Sequence, residues 1–461
     1  MLNNGFHVSI LSSLSKKQKE AIGLLQIGTF LEYFDFMLYV HMAVLLNELF
    51  FPKTDPHTAA LLSAFAFCSS YFLRPFGALI FGYIGDHIGR KQTVVITSML
   101  MSISCIVIAN LPTYAQIGIS AAWGITICRV MQGLSSMGEM MGAEVYLTEL
   151  VKQPSSQYVA VSSIGISAII GGMVALGVAV LVTKFGLNWR IAFWIGATVA
   201  VIGSIARNRL RETPDFLNTK EKLEKKLMNL SQTSSIYCSE KRKVRKDLNK
   251  MPSQKKTLLA YFLVYCGWPL SFYLAYVYFN PLLKGKFGYS AEDIILHNFI
   301  LSIVMVISVI FWVALSRKFH PLVILRERAK VLLMLTILLP FFIDLANSAV
   351  HIFLVQASLL IFSMVAEPAP SIFIKHFPVL KRFTTASFIY AFSRAVVYVI
   401  TSFSLIYITK LFGYYGIWAV KLPILCGFLW GVNYFSNLEK INHNKPSTQC
   451  NSALPAHAIQ L

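Results

Sequence analysis

The residues that could do chemistry in this chain are acids and an arginine placed inside long apolar runs. Glu32 and Asp35 are three residues apart in the first run, which puts both carboxylates on one face of a helix. Arg74 is in the middle of the second run, at a similar depth if the two helices cross a membrane in opposite directions. A charged residue at the centre of a membrane helix costs about 2.5–3.5 kcal/mol on insertion scales, so such residues need a partner, a water-filled cavity or a function.

The chemistry that these three residues favour is reversible proton binding. Burial and a neighbouring acid both stabilise the protonated form of a carboxyl group, whereas a nearby arginine stabilises the carboxylate. A carboxyl group balanced between these influences can load and release a proton near neutral pH, which is what a proton-coupled carrier requires. The alternative is an ion pair that only fixes the packing of the first two helices.

Further charged residues lie inside later apolar runs. Arg129 and Glu139 are deep in the fourth run, and we expect them to join the proton- or substrate-binding site. Glu367 in the tenth run and Arg394 in the eleventh are further candidates from the second half of the chain. Glu144 lies nearer the end of the fourth run, where contact with water would be enough to explain it.

The composition of the whole chain is that of a membrane protein. Of the 461 residues, 56% are hydrophobic and only 13% are charged, whereas a soluble domain has about 25% charged residues. Twelve apolar runs are long enough to cross a bilayer, among them residues 257–283 and 350–374. Because only helices satisfy their own backbone hydrogen bonds in lipid, the sequence predicts an all-α membrane protein with twelve transmembrane helices.

Most of the lysines and arginines lie in the segments between these runs. The net charge of +20 therefore indicates contact with the lipid bilayer, and we expect no nucleic-acid partner. The basic loops alternate along the chain, which predicts that both termini are cytoplasmic. Lys16, Lys17 and Lys19 precede an apolar run that is too long for a cleavable signal peptide.

One long basic segment divides the chain into two halves. We expect an N-terminal six-helix bundle over residues 1–206, a cytoplasmic basic linker over 207–256, a C-terminal six-helix bundle over 257–437 and a cytoplasmic tail over 438–461. Two parallel six-helix repeats predict a binding site at their interface, near the middle of the membrane. The sequence has no nucleophile elbow, phosphate-binding loop or Cys/His cluster, so we expect no enzyme activity, no metal and no cofactor.

The loop after the second run carries a resemblance to a known family. Residues 82–91 read Gly-Tyr-Ile-Gly-Asp-His-Ile-Gly-Arg-Lys, which resembles the G-x-x-x-D-x-x-G-R-K signature of the major facilitator superfamily. The resemblance implies the fold of that superfamily, with two six-helix bundles. It also implies a gating motif, made of Gly82, Asp86, Gly89, Arg90 and Lys91. In this motif the aspartate and the arginine help to latch the cytoplasmic gate.

A second motif and three longer stretches narrow the resemblance. Arg129 and Gln132 begin a stretch similar to the R-x-x-Q-G motif of the fourth helix, whose arginine is implicated in proton coupling, so Gln132 joins the candidate site. GTFLEYFDFMLY, FLRPFGALIFGYIGDHIGRK and NWRIAFWIGA resemble the metabolite:proton symporter branch, which includes proline/betaine transporters. In place of the Gly-Pro of the antiporter signature, the fifth run has Ser167 and Ala168.

The resemblance and the buried charges together predict a secondary active transporter. We expect a proton symporter that takes up a small zwitterion or organic anion by alternating access, as a multi-pass monomer in a bacterial inner membrane. A proton-coupled efflux carrier is an alternative, although the fifth run argues against it. A non-transporting sensor is another, because the loop at residues 314–321 lacks the Asp and Gly of a second gating motif.

Overall fold

The first half of the protein consists of long helices joined by short loops. The structure is a computed structural model that describes residues 14–51, 56–207, Glu221 and 254–444. The long helices of this half are α1 (Lys16–Phe50), α2 (Pro56–His87), α3 (Arg90–Asn110), α4 (Ile119–Leu150), α5 (Pro154–Phe185) and α6 (Arg190–Arg207), with one helical turn at Tyr114–Ile117 before α4. Nearly all of the expected basic linker and most of the expected tail lie outside the described residues.

The second half contains two interrupted helices. Helix α7 (Gln254–Tyr265) continues through three pieces that we call the α7 extension: Gly267–Tyr273, a π-helical turn at Leu274–Tyr278, and Asn280–Phe287. The next helices are α8 (Ala291–Leu315), α9 (Pro321–Asp344) and α10 (Ala349–Ile361). Residues 362–369, the α10 break, are non-helical and lead to a short helix at Pro370–Ile374. The half ends with α11 (Arg382–Phe412) and α12 (Gly416–Asn444).

Helices occupy every apolar run that the sequence predicts, which confirms the all-α class. Six stretches of the described chain are long and apolar enough to cross a membrane. The seventh and tenth runs differ from the prediction because each is broken. Proline explains both breaks, since Pro269, Pro368 and Pro370 lack the N–H group that a continuous helix needs.

Burial in the structure is that of a protein surrounded by lipid. On α2, Phe72, Phe76 and Tyr83 are more than half exposed, whereas Arg74 on the same helix is 2% exposed. Large apolar side chains therefore face outward while a charge faces inward, the reverse of the pattern in a soluble helix. This arrangement places the charged residues between helices, where a site can form.

The two halves meet through helices from both. Helix α2 packs along α11, and α5 packs along α8. Within the first half, α5 approaches α1 so closely at Gly171 that a Cβ there would collide with the backbone carbonyl of Phe30. A glycine is needed at this crossing because the two backbones are in contact.

Candidate functional site: a central cavity and a buried charge cluster

A cavity lies between the two halves. Its walls come from α1, α4 and α5 on one side, and from α7 with its extension, α8, the α10 break and α11 on the other. The cavity volume is about 80 Å³, which is enough for several water molecules or one small solute. The lining is mostly apolar and aromatic, with three charged residues: Glu144, Glu367 and Arg394.

Two tyrosines connect the halves on the cavity wall. The hydroxyl groups of Tyr33 on α1 and Tyr390 on α11 are 3.2 Å apart. Both hydroxyls donate to the sulfur of Met140 on α4, at 2.8 Å from Tyr33 and 3.1 Å from Tyr390. The guanidinium carbon of Arg394 lies 3.6 Å from the centroid of the Tyr390 ring, which is a cation–π contact. The polar contacts of the cavity therefore cross the interface between the halves.

The three charged residues of the cavity also come from both halves. Glu144 lies within electrostatic range of Glu367 and Arg394. The carboxylate of Glu367 fits beside Gly165 of α5, where a Cβ would collide with it. Among the described residues, Glu144 Oε2 and Arg394 Nη1 are buried atoms that have no hydrogen-bond partner. Because burial without a partner is costly for such atoms, both are well placed to bind a ligand in the cavity.

A second group of charged and polar side chains, which we call the α1 cluster, lies inside the first half. It contains Asp35, Arg74, Arg129 and Gln132, all of them buried. The guanidinium carbons of Arg74 and Arg129 lie 4.2 Å and 5.0 Å from the centroid of the Phe36 ring. The guanidinium carbon of Arg129 also lies 4.0 Å from the centroid of the Tyr39 ring. Aromatic rings thus stabilise two arginines that the apolar interior would otherwise disfavour.

A chain of polar contacts runs through the α1 cluster. Arg129 Nη1 donates to Gln132 Oε1 at 2.9 Å, and Gln132 Nε2 donates to Cys105 Sγ at 3.5 Å. Cys105 on α3 is in turn within electrostatic range of Asp35. The Asp35 carboxylate fits against Gly196 of α6, where a Cβ would collide with it. Asp35 is thereby held among α1, α3 and α6.

The predicted site residues fall into two groups in the structure. Glu367 and Arg394 line the cavity, whereas Asp35, Arg74 and Arg129 are not among the described residues on its wall. Glu32 is buried on α1 and acts electrostatically on the hydroxyl of Tyr33, which is on the wall. The side chain of Glu139 lies outside the described part of the chain. The structure therefore separates residues that the sequence analysis grouped into one site.

Several residues of the cavity wall are not predicted from the sequence. We expected Glu144 to contact water near the end of the fourth run, but α4 continues to Leu150 and Glu144 is 1% exposed. Tyr33, Met140 and Tyr390 were not identified, because their meeting depends on how α1, α4 and α11 approach one another. Among the described residues there is no group of three or more His, Cys, Asp or Glu that could hold a metal ion.

The gating motif at the end of α2 contacts the first turn of α11. Asp86 accepts hydrogen bonds from the backbone N–H of Phe383 at 3.3 Å and of Thr384 at 2.9 Å, and from the Thr384 hydroxyl at 2.6 Å. A carboxylate at this position satisfies free N–H groups and the positive end of the helix dipole. The backbones approach closely here, because a Cβ on Gly82 would stand 2.7 Å from Thr384 Cα.

Other residues near this end complete the contact between the halves. Glu149 of α4 and Arg382 of α11 form a buried ion pair at 3.2 Å. Gly89 precedes α3 with a φ of 151°, a conformation that favours glycine. Arg90 and Lys91 are the first residues of α3, and the side chain of Arg90 lies outside the described part. Asp86, Glu149 and Arg382 thus join the two halves at the α2–α3 end of the protein.

The family of the chain follows from its sequence as well as from this architecture. The family model of the Major Facilitator Superfamily matches residues 25–402. The chain therefore belongs to the Major Facilitator Superfamily, which confirms the predicted resemblance and fold.

Curated relatives match the chain over part of their length. It is 34% identical over 215 residues to the proline/betaine transporter of Salmonella typhimurium (strain LT2), and the match covers 45% of this chain and 43% of that protein. It is 35% identical over 218 residues to the inner membrane metabolite transport protein YhjE of Escherichia coli (strain K12), covering 46% of this chain and 49% of that protein. The chain thus spans less than half the length of these relatives.

Solved structures share the fold at low sequence identity. The proton:xylose symporter XylE, bound to 6-bromo-6-deoxy-D-glucose, matches with a TM-score of 0.70 at 16% identity, over 91% of this chain and 95% of that one. The fucose:proton symporter FucP of E. coli matches with a TM-score of 0.62 at 11% identity, over 90% and 98% of the two chains. At such identities the likeness concerns the fold alone.

Proposed function

We propose that the protein is a secondary transporter that moves a small zwitterion or organic anion together with protons by alternating access. The observation that carries this proposal is the cavity between the halves, which presents buried atoms of Glu144 and Arg394 that have no hydrogen-bond partner within the described part of the chain. One of these residues belongs to α4 and the other to α11, so movement of the halves would make and break contacts with a bound solute. The relatives named above are transporters, which supports the same class.

The cavity offers complementary groups for a zwitterion. Arg394 can donate to a carboxylate of the solute, and a guanidinium does this through two parallel hydrogen bonds. Glu144 can attract a positively charged group, and the aromatic rings of Tyr265, Trp268 and Tyr390 on the wall can stabilise a cation through their faces. An organic anion would use Arg394 without the second contact.

The α1 cluster is the proposed site of proton coupling. Asp35 is fully buried, and the polar chain through Cys105 and Gln132 connects it with Arg129. Tyr33 is within electrostatic range of Arg74 in this cluster and of Arg394 in the cavity. A change of charge in the cluster would therefore act electrostatically on Tyr33 at the cavity wall. A symporter requires coupling of this kind between its proton site and its solute site.

The gating motif is proposed to hold the α2–α3 end closed, and the alternation of the basic loops favours a cytoplasmic position for that end. Reorientation would break the bonds from Asp86 to the start of α11 and the ion pair of Glu149 with Arg382. The protein is a multi-pass membrane protein of the type found in bacterial inner membranes. We propose that it acts as a monomer with both termini in the cytoplasm.

Transport can be tested directly with purified protein in liposomes. We expect accumulation of labelled proline, betaine or a dicarboxylate when the outside is made acidic, and no accumulation after a protonophore is added. Extrusion under the same gradient would indicate the efflux carrier instead. Binding without movement of any solute would indicate a non-transporting sensor, and would contradict the proposal.

Weakening the gating motif should favour the state that is open at the α2–α3 end. We expect Gly82→Val to push Thr384 away, since a Cβ at this position has no space against the α11 backbone. The measurement is the labelling rate of a cysteine at Tyr146 on α4, buried near this end, with a small maleimide. The rate should rise about tenfold or more, as expected for loss of a local closing contact. Gly285→Val, at a glycine with open space around it, is the matched control. Equal rates in both variants would contradict the gating role.

A further inference from the structure

The α10 break places a buried stretch of non-helical backbone beside the cavity. Met364, Val365, Ala366 and Glu367 of this break form part of the cavity wall, and all four are buried. A helix would bond its own carbonyl groups, but a non-helical segment in a membrane interior must find donors elsewhere.

Arg328 of α9 supplies most of these donors. Its Nη1 donates to the carbonyl oxygen of Glu367 at 2.8 Å, and its Nη2 donates to that of Val365 at 3.2 Å and to that of Ser363. The residue is 2% exposed, and it is not among the described residues on the cavity wall. Arg328 therefore touches the back of the break, while the other side of the break faces the cavity.

Helix α8 assists at the start of the break. Trp312 Nε1 and Ser308 Oγ both donate to the carbonyl oxygen of Ile361, at 2.8 Å and 3.1 Å. The guanidinium carbon of Arg328 lies 5.6 Å from the centroid of the Trp312 ring. Helix α8 thus bonds the last carbonyl of α10, just before the break, while the single guanidinium of Arg328 on α9 binds three carbonyls of the break itself.

The geometry of this contact suits arginine. In membrane transporters, the carbonyls of a broken helix commonly coordinate a cation. Here the guanidinium of Arg328 lies against three carbonyls, and among the described residues it forms no ion pair within 4 Å. A planar group with five N–H donors can reach several carbonyls at once, whereas the ammonium group of lysine is a compact point charge.

We propose that Arg328 is a positioning residue, a tethered cation that holds the carbonyls of the α10 break and so fixes Glu367 on the cavity wall. The bond from Arg328 to the carbonyl of Glu367 sets the backbone from which the carboxylate extends toward Gly165 of α5. The effect on transport rests on the function proposed above, whereas the effect on the break does not.

The reaction rate of a cysteine placed on the α10 break measures how ordered the break is, and this measurement needs no transport assay. The variant Ala366→Cys, on the cavity wall, is combined with Arg328→Gln, Arg328→Lys or the control Arg326→Gln. Arg326 lies on the same helix, but its side chain is 40% exposed and pairs with Glu327. We expect the reaction of this cysteine with a small maleimide to be about tenfold faster or more in both Arg328 variants, because local opening exposes the break. The rate should be unchanged in the control, after subtraction of the reaction of the native cysteines.

Uptake kinetics and thermal unfolding separate positioning from general stability. Both Arg328 variants should raise the KM for uptake clearly while changing the unfolding temperature only a little. Lysine should not restore the KM of the unmodified protein. An unchanged cysteine rate, or full function of Arg328→Lys, would overturn the proposal. If Arg328→Gln does not fold, the lysine variant decides the question by the same measurements. Absence of uptake by the unmodified protein would remove the proposed function but leave the cysteine result valid.

Discussion

Replacement of Arg394 by glutamine is expected to abolish high-affinity uptake of a solute that carries a carboxylate, in a protein that still folds. Arg394 is 5% exposed on the cavity wall, with its Nη1 lacking a partner among the described residues. Removing one partner of a buried, hydrogen-bonded charge pair costs about 2–5 kcal/mol. This corresponds to an increase in KM of about 30-fold to several thousand-fold. Uptake of labelled solute into proteoliposomes over a range of concentrations measures it.

Two further variants test why Arg394 is needed. Arg394→Lys keeps the positive charge but loses the planar guanidinium that can donate two parallel hydrogen bonds. We therefore expect only partial recovery of the affinity for the solute. The rival explanation is that Arg394 merely neutralises Glu144, which lies in its electrostatic range. In that case the double variant Arg394→Gln with Glu144→Gln would transport better than Arg394→Gln alone. Recovery in the double variant would contradict a direct contact between Arg394 and the solute.

The fold could be predicted from the sequence because it depends on quantities that are local in the chain. Helix-length apolar runs, basic loops and the glycine-rich motif at residues 82–91 are visible without knowing which helices touch. Prolines also indicate the breaks after α7 and α10, at Pro269, Pro368 and Pro370. Hydropathy alone predicts continuous helices there, because it does not reveal whether a neighbouring side chain such as Arg328 can satisfy the backbone carbonyls of a broken helix.

The candidate site was only partly predictable, since it depends on contacts between helices distant in sequence. The three-residue spacing of Glu32 and Asp35 shows that they share a side of α1. It does not show what that side meets, and in the structure Asp35 lies against Gly196 of α6, away from the cavity wall. Conversely, Tyr33 is adjacent to Glu32 and reaches Tyr390, at a distance of 357 residues along the chain. No spacing rule connects those two positions.

The separation of the α1 cluster from the cavity leads to a specific expectation for Asp35. The variant Asp35→Asn should lose accumulation driven by a proton gradient while it keeps exchange of labelled for unlabelled solute. Asparagine has nearly the same shape and fits the small space beside Gly196, but it cannot release a proton. Solute binding should survive because Arg394, Glu144 and Glu367 are unchanged on the cavity wall. Gradient-driven uptake and counterflow, measured on the same proteoliposomes, give the two quantities.

Control variants determine whether Asp35 is the coupling residue or only a packing residue. Glu292→Gln replaces an exposed acid in the first turn of α8 and should change neither quantity. If Asp35 served packing alone, Asp35→Asn would lower gradient-driven uptake and counterflow together. Undiminished uphill uptake by Asp35→Asn would instead remove Asp35 from coupling and direct attention to Glu144 and Glu367. A loss confined to uphill uptake would mean that the proton and the solute bind at different places. The link between the two places would then be electrostatic, through residues such as Tyr33, which both the α1 cluster and the cavity charges influence.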